Sequence, residues 1–474
     1  MIRRGALYPT FEQPLTIARM GLLALVAVEI AVAVGLHANG APSNVQLINQ
    51  VALAVTFTAL AVADLRLAVA ICVLELIVGG ASGRWTVLPA GVSGRMLLDV
   101  IVGLVSVLVL ARQARDGVLA LGRYTVHALA IAILIPAIWI PLGVFNGNGL
   151  ANAVADGDGF LFFGFAVILA AVALRGELGW LRRWILISSV IGAALTVLVV
   201  ALLASGAVAH RELQVVFTWT FDMGGRIDAG VAGIRVYFAS GLFLQVGVAI
   251  AIWELMRNRH RAWLWAALAI LLIALFVSFT RGFWLGAVIA ASVVLIFGRE
   301  NASSVLADRN RRLVTVALGI GIAAFLVVAL FGIGGGMGSN LVKIYQAAVL
   351  LWHTIQRPLT GWGLGAVVPD YVFGTGFTYE ITYFDRAFKL GFLGLALFLS
   401  LPIRLLIDSW RVLNGRLAGA LGVSTREAVV PLAILASVLV VSATNPYMVG
   451  SVGIGAVVLT IAWLDPFRPK ETPT

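Results

Sequence analysis

Long apolar segments alternate along the chain with short polar connections. About fourteen such segments occur, and several are shorter than the roughly 20 residues that a helix needs to cross a bilayer. The pattern predicts an all-α fold: a polytopic integral membrane protein with about 12–14 transmembrane helices in a single transmembrane domain, 1–474. No segment gives a strand signal. The apolar segments are 15–36, 46–63, 67–80, 96–111, 125–145, 159–174, 184–208, 236–256, 262–279, 282–297, 314–332, 387–407, 428–443 and 447–464.

Composition supports this class of protein. Of the 474 residues, 61% are hydrophobic and only 12% are charged, and the mean hydropathy is +1.02. Soluble domains carry about 25% charged residues, so a soluble core cannot absorb this much apolar surface. The net charge of +11 comes from basic residues that stand in short clusters between apolar segments. Orientation in the membrane and contacts with anionic membrane lipids explain these clusters, and no nucleic-acid partner is expected.

The arginine clusters predict which ends of the helices face the cytoplasm. Because cytoplasmic connections are enriched in basic residues, we expect five clusters and both termini there. Two larger connections, 209–235 and 333–386, then share the opposite, outward side, so chemistry is expected on that extracytoplasmic face. The clusters are Arg112/Arg115/Arg123, Arg175/Arg182/Arg183, Arg257/Arg259/Arg261, Arg309/Arg311/Arg312 and Arg404/Arg411/Arg416.

The loop 333–386 opens with an amphipathic pattern. Apolar residues recur at helical spacing on one side, and polar residues line another. This predicts a helix that lies along the membrane surface and ends before Pro358. We expect the loop to cap an active site at the membrane boundary. The apolar side carries Leu341, Ile344, Ala348, Leu351 and Ile355, and the polar side carries Lys343, Gln346, His353 and Arg357.

Arginines on the outward side are candidates for anion binding. Arg281 lies between two apolar segments, where it either snorkels to lipid head groups or holds a phosphate or diphosphate in its planar fork. Arg226 and Arg235 lie in the first outward loop, where excess arginine runs against the orientation rule. Solvated ion pairs with Asp222 and Asp228 are one explanation. Anion binding assisted by backbone amides of nearby glycines is the other, which we favour.

Glu380 and Asp385 are the acidic candidates in the second loop. A general base must lie within hydrogen-bond reach of the acceptor hydroxyl, and Glu380 stands between Tyr379 and Tyr383 in a partly desolvated mouth. Asp385 is equally well explained by an ion pair with a basic neighbour in the loop. Glu380 is therefore the candidate catalytic base.

Three further side chains of the loop are assigned to substrate contacts: His353, Tyr383 and Arg386. His353 also has a plainer explanation as an interfacial residue of the amphipathic helix. Metal chemistry has no support, because Cys72 is the single cysteine and the histidines show no ligand spacing. Neither a metal nor an organic cofactor is expected.

Several short segments occur in the order typical of a known family. "RIDAG" and "SFTRGFWLG" are followed by "QRPLTGWGLGAV", and then by "KLGFLGLALFL" and "TNPYMVG". Their order and spacing, over roughly 96–464, resemble the O-antigen ligase/polymerase superfamily. Members of that family show a glycine-rich turn after Pro-Leu, an outward loop, and then a span with a Gly-x-x-Gly pattern.

The resemblance implies a metal-independent glycosyltransferase of the all-helical GT-C type in the bacterial inner membrane. It would take sugars from an undecaprenyl-diphosphate-linked glycan donor on the periplasmic side and pass them to a glycan or glycolipid acceptor. Arg226 and Arg281, with Arg235, would hold the diphosphate and stabilise the leaving group. Lipopolysaccharide ligases carry a His-Asn pair at a position that, counted back from Gly391, is Glu380 here. This departure favours a polysaccharide polymerase or an exopolysaccharide-type ligase with Glu380 as base.

Two other functions stay open. A lipid-linked oligosaccharide flippase or secondary transporter would show internal repeats and broken helices at matching positions, which the sequence does not display clearly. Only Glu75 and Asp99, inside apolar segments, favour that function. A peptidoglycan polymerase of the shape/division type would use an outward-loop aspartate, Asp370 or Asp385, as its base.

Overall fold

A computed structural model describes residues 17–79, 93–116, 121–173, 179–208, 226–230, 233–258, 260–298, 336–368, 379–417 and 427–464. The predicted fold class is confirmed. The described residues are mostly helical, and seven helical segments are long and apolar enough to cross a membrane, with four shorter apolar helices beside them. The predicted apolar segment 314–332 lies outside the described residues.

The helix boundaries follow the predicted apolar segments closely. A short 3-10 turn, Phe162–Gly164, joins two helices into one membrane-length segment. The helices are α1 (Ile17–Ala38), α2 (Ser43–Ala63), α3 (Leu65–Val78), α4 (Gly94–Arg115), α5 (Arg123–Phe145), α6 (Leu150–Leu161), α7 (Phe165–Ala173), α8 (Gly179–Ala204), α9 (Leu242–Arg257), α10 (Ala262–Val277), α11 (Arg281–Phe297), α12 (Gly336–Gln356), α13 (Thr382–Leu413), α14 (Val429–Ser442) and α15 (Ser451–Leu464).

One short segment shows that the expectation of no strands was wrong. Strands β1 (Arg226–Gly230) and β2 (Gly233–Tyr237) form an antiparallel hairpin. Polar and apolar residues alternate in both strands, and glycines flank the two-residue connection, which together are the sequence signal of a hairpin. Val236 is buried against Val199 of α8, so the hairpin packs on the end of that helix.

Ion pairs between helix ends show how the arginine clusters are arranged. Arg123 begins α5 and pairs with Asp408 in the last turns of α13 at 3.0 Å. Arg182, near the start of α8, pairs with Glu254, near the end of α9, at 3.1 Å. Because neighbouring helices alternate in direction, these ends lie on one side of the bundle. The hairpin and α12 lie on the other side.

Helix α13 is interrupted at Gly391, whose backbone has φ 65° and ψ −177°. The segment before the helix supplies the hydrogen bonds that the interruption removes. The N–H of Gly363 donates to the carbonyl of Lys389 at 2.8 Å, and the N–H of Phe392 donates to the carbonyl of Pro358 at 2.7 Å. An apolar bundle cannot leave such groups without partners, so this exchange makes the broken helix possible. Two further backbone hydrogen bonds complete the exchange. The N–H of Trp362 donates to the carbonyl of Phe388 at 3.0 Å, and the N–H of Leu393 donates to the carbonyl of Leu359 at 3.2 Å.

The glycine-rich turn of 361–365 lies in the gap between α5, α6 and the interrupted helix. Gly363 has φ 84°, and a side chain there would overlap the backbone of Gly143 in α5. The N–H of Leu364 donates to the carbonyl of Trp139 at 2.9 Å, and Asn148 donates to the carbonyl of Leu364 at 3.1 Å. The turn is therefore held on both sides by backbone contacts too close for larger residues.

Helix α12 turns its apolar side outward. Leu341, Ile344, Trp352 and Ile355 are each at least 60% exposed, whereas Gln346 on the polar side is buried against the protein. A helix on a soluble protein would pack the other way round, with its apolar side inward. This arrangement is the one expected of an interfacial helix whose apolar side faces lipid.

We predict that Gly391→Ala destabilises the protein strongly. A side chain at this φ and ψ costs about 1–3 kcal/mol in backbone strain, and its Cβ would also overlap the carbonyl oxygen of Leu359. Gly103→Ala is the matched control, because Gly103 lies inside α4 with no atom within 4 Å of an added Cβ. The control should be neutral or slightly stabilising. Thermal unfolding of the detergent-solubilised protein measures both, and equal unfolding temperatures would contradict the prediction.

Candidate functional site

Four charged side chains are enclosed where α6 meets the first turns of α13. Asp156 of α6 faces Asp385, Arg386 and Lys389, and all four side chains are 0% exposed. We call them the buried quartet. Two carboxylates and two cations cancel in formal charge, which is the condition under which charges are tolerated in an apolar interior.

Asp156 is the centre of the buried quartet. Its Oδ2 lies 2.8 Å from Lys389 Nζ and also accepts a hydrogen bond from the N–H of Gly365 at 2.9 Å. Its Oδ1 accepts from Arg386 Nη1 at 3.1 Å. Asp385 completes the group, with Oδ1 at 2.8 Å from Lys389 Nζ. One carboxylate thereby joins α6, the glycine-rich turn and both cations of α13.

Two sequence assignments change because of this arrangement. Asp385 and Arg386 were expected in an outward loop, but α13 already begins at Thr382 and carries both into the interior. Arg386 also donates from Nη2 to the carbonyl of Val449 at 3.1 Å and stacks over the ring of Phe160 at 4.7 Å. With its guanidinium enclosed in these contacts, Arg386 does not offer a surface to a substrate. Asp385 is likewise enclosed and unsuited to act as an accessible base.

Glu380 lies just outside this interior, ahead of α13. Its side chain is 47% exposed, and its Oε2 is 3.6 Å from Lys343 Nζ of α12. Its N–H donates to the Gln346 side chain at 3.1 Å. Lys343 in turn donates to the carbonyl of Thr444, after α14, at 2.7 Å. The carboxylate is therefore accessible, held between two elements and beside a cation.

Arg281 begins α11, next to the same turn after α14. The adjacent Gly282 lies against the side chain of Asn445, so closely that an added Cβ would be 2.6 Å from its Nδ2. The carbonyl of Asn445 accepts from Thr382 Oγ1 at 2.8 Å. Residues 444–445 thus contact the starts of α11 and α13 and the side chain of Lys343. This places Arg281 and Glu380 at the same end of the bundle.

Arg226 and Arg235 belong to the hairpin. By register, Arg226 is paired with Tyr237 and Arg235 is paired with Asp228. The chain after β2 packs at Gly241 on the ring of Phe283, in the first turn of α11. The base of the hairpin therefore lies beside the start of the helix that carries Arg281.

The remaining predicted residues have structural contacts. The Tyr383 hydroxyl donates to the carbonyl of Leu439 in α14. His353 packs edge-on against the rings of Trp362 and Phe388, with centroids 6.2 and 6.0 Å away. These contacts fit the plainer explanation of His353 as an interfacial residue.

Sequence reasoning did not select Asp156, Lys389 or Lys343. Asp156 lies in a short glycine-containing stretch that precedes a predicted apolar segment, and its partners are about 230 residues further on. The one available signal was the pair Asp385 and Lys389, spaced four apart before an apolar run. Such spacing places both on one side of a helix.

No protein-family model, curated protein or solved structure matches this chain. Among the residues that the structure describes, no group of three or more His, Cys, Asp or Glu is arranged to hold a metal ion.

We predict that Asp156→Asn destabilises the protein by about 3–5 kcal/mol, because it leaves two enclosed cations with one carboxylate. Glu380→Gln is the matched control. Glu380 pairs with Lys343, and both side chains are partly exposed. Such pairs contribute about 0–1 kcal/mol to stability. Thermal unfolding in detergent compares the two. A smaller loss for Asp156→Asn than for Glu380→Gln would show that the buried quartet does not stabilise the fold.

Proposed function

We propose that this protein is a metal-independent membrane glycosyltransferase of the O-antigen ligase/polymerase type. It would transfer a glycan from undecaprenyl diphosphate to a glycan or glycolipid acceptor at the periplasmic face of a bacterial inner membrane. The single observation that carries the proposal is the convergence at residues 444–445. Thr382, two residues after the accessible carboxylate Glu380, and Gly282, next to Arg281 at the start of α11, both contact this turn.

In the proposed reaction, an acceptor hydroxyl attacks the anomeric carbon of the donor sugar. Glu380 takes the proton from that hydroxyl as the new glycosidic bond forms. The bond between the anomeric carbon and the diphosphate oxygen breaks, and the electron pair leaves with the lipid diphosphate. Arg281, together with Arg226 and Arg235 of the hairpin, would stabilise the negative charge that builds on this leaving group.

The exposed apolar side of α12 supports a donor that arrives through the membrane. Leu341 and Ile344 flank Lys343 in sequence, and both are more than 60% exposed while Lys343 turns towards Glu380. The helix thus has an apolar side and a charged side. A lipid-linked donor likewise has a hydrocarbon chain and a charged head. The helix would lie in the lipid surface with its polar side over the reacting groups.

A lipid-linked oligosaccharide flippase or secondary transporter is the second candidate, and one observation favours it. Transporters place interrupted helices and buried charges at their substrate sites, and α13 is interrupted at Gly391 beside the buried quartet. Two facts weigh against it. The four charges cancel and contact one another, and the interruption is filled by the chain's own backbone rather than open to a solute.

We predict that Arg281→Ala and Glu380→Gln each abolish glycan transfer while expression and unfolding temperature stay near wild type. The first removes a ligand of the leaving group, and the second removes the base. Arg115→Ala and Asp116→Asn, both exposed at the opposite end of the bundle, are charge-matched controls that should retain activity. The measurement is transfer from purified lipid-diphosphate glycan donors, scored as single addition or a ladder of products. Full activity in either variant removes that residue from the mechanism.

A separate experiment distinguishes the two candidate functions. Purified protein in liposomes is given a fluorescent lipid-linked oligosaccharide, and its movement between leaflets is followed by quenching from outside. We expect no acceleration of movement by the wild type, with or without an acceptor glycan, because the chain's own backbone fills the interruption of α13. Acceleration that persists in Glu380→Gln would favour the transporter.

A further inference from the structure

A groove lies at the end of the bundle opposite Glu380, between the start of α5 and the last turns of α13. It encloses about 310 Å³ and is open to the outside of the bundle. That volume is at the lower end of the range for small-molecule sites, about 300–1,000 Å³. The proposed glycosyl transfer does not use this groove, so its lining needs a separate explanation.

Three arginines and one aspartate line the groove. Asp408 is 5% exposed, and its carboxylate lies 3.0 Å from Arg123, 3.4 Å from Arg411 and 3.9 Å from Arg404. The arginine side chains are 40, 56 and 43% exposed in the same order. Asp408 also accepts a hydrogen bond from the hydroxyl of Tyr124 at 2.8 Å. One enclosed carboxylate is thus surrounded by three half-exposed cations.

This arrangement carries excess positive charge. Three guanidinium groups have five N–H donors each, far more than one carboxylate with about four acceptor positions can take. The carboxylate holds the three forks close together against their mutual repulsion. A phosphate group has the charge and the oxygen geometry to bridge them in bidentate contacts.

The wall beside the arginines is apolar. Ile403 and Ile407 lie one turn apart on α13, next to Arg404, and each is 43% exposed. Helix α13 is long and apolar enough to cross a membrane. An anion held by the arginines would therefore have hydrocarbon-compatible surface directly beside it. A free inorganic ion would gain nothing from that surface, whereas a lipid would use both parts.

We propose that this groove binds an anionic phospholipid, with its phosphate on Arg123, Arg404 and Arg411 and its acyl chains along Ile403 and Ile407. Basic pockets at helix ends bind such head groups in other membrane proteins. The proposal is independent of the proposed enzymatic function. It also explains why Asp408 is enclosed in a cluster of arginines instead of forming a simple pair.

The test is a lipid titration of the full chain, purified in neutral detergent and followed by native mass spectrometry. Phosphatidylglycerol is compared with phosphatidylcholine for the wild type, Arg404→Gln and Arg411→Gln. Each substitution should weaken phosphatidylglycerol binding about five-fold and leave phosphatidylcholine binding unchanged. Arg115→Gln is the matched control: it removes one exposed positive charge at the same end of the bundle but outside the groove. Both groove arginines are half-exposed, so neither substitution threatens the fold.

Three outcomes would overturn the proposal. Equal affinity for the two lipids would show that the groove does not select an anionic head. An equal loss in Arg115→Gln would assign the preference to diffuse surface charge rather than to the groove. Displacement of phosphatidylglycerol by millimolar inorganic phosphate, with no effect of Ile407→Ser, would show that a soluble anion is the ligand.

Discussion

The structure depends on one constraint: backbone polar groups cannot be left without partners inside an apolar bundle. At Gly391 the interruption of helix α13 removes backbone hydrogen bonds, and the segment with the glycine-rich turn replaces them. Before the interruption, two carbonyls of α13 accept hydrogen bonds from the N–H groups of Trp362 and Gly363. After it, two N–H groups of α13 donate to the carbonyls of Pro358 and Leu359. The two segments therefore behave as one folded unit. Neither could keep its conformation without the other.

The buried quartet connects this unit to the rest of the bundle. Asp156 contacts the turn through Gly365 and contacts α13 through Arg386 and Lys389, so α6, the turn and α13 share one carboxylate. The start of α13 is fixed by these contacts, and Glu380 stands two residues ahead of that start. The position of the exposed carboxylate is therefore set from inside the protein. Buried charges can in this way fix the position of an exposed side chain near the start of a helix.

Periodicity was enough to predict the long apolar helices of the described residues, because such helices are set by local composition and length. It also identified α12 and its exposed apolar side. It missed the hairpin, whose alternation extends over only five residues in each strand. The predicted outward loop also extended to residue 386, beyond the start of α13, so Arg386 was taken for a surface residue. The quartet could not be found from one sequence, because Asp156 and Arg386 are paired across about 230 residues. Local patterns report burial, but not which distant charges meet.

The electrical neutrality of the buried quartet has a consequence for how the protein responds to an energised membrane. A transmembrane voltage does work only on net charge that moves through the field, about 2.3 kcal/mol per elementary charge per 100 mV. Asp156, Asp385, Arg386 and Lys389 sum to zero and lie in mutual contact. Small rearrangements of this unit as a whole therefore move almost no charge along the field. Through these four groups, the conformation of the bundle is therefore insensitive to the membrane potential.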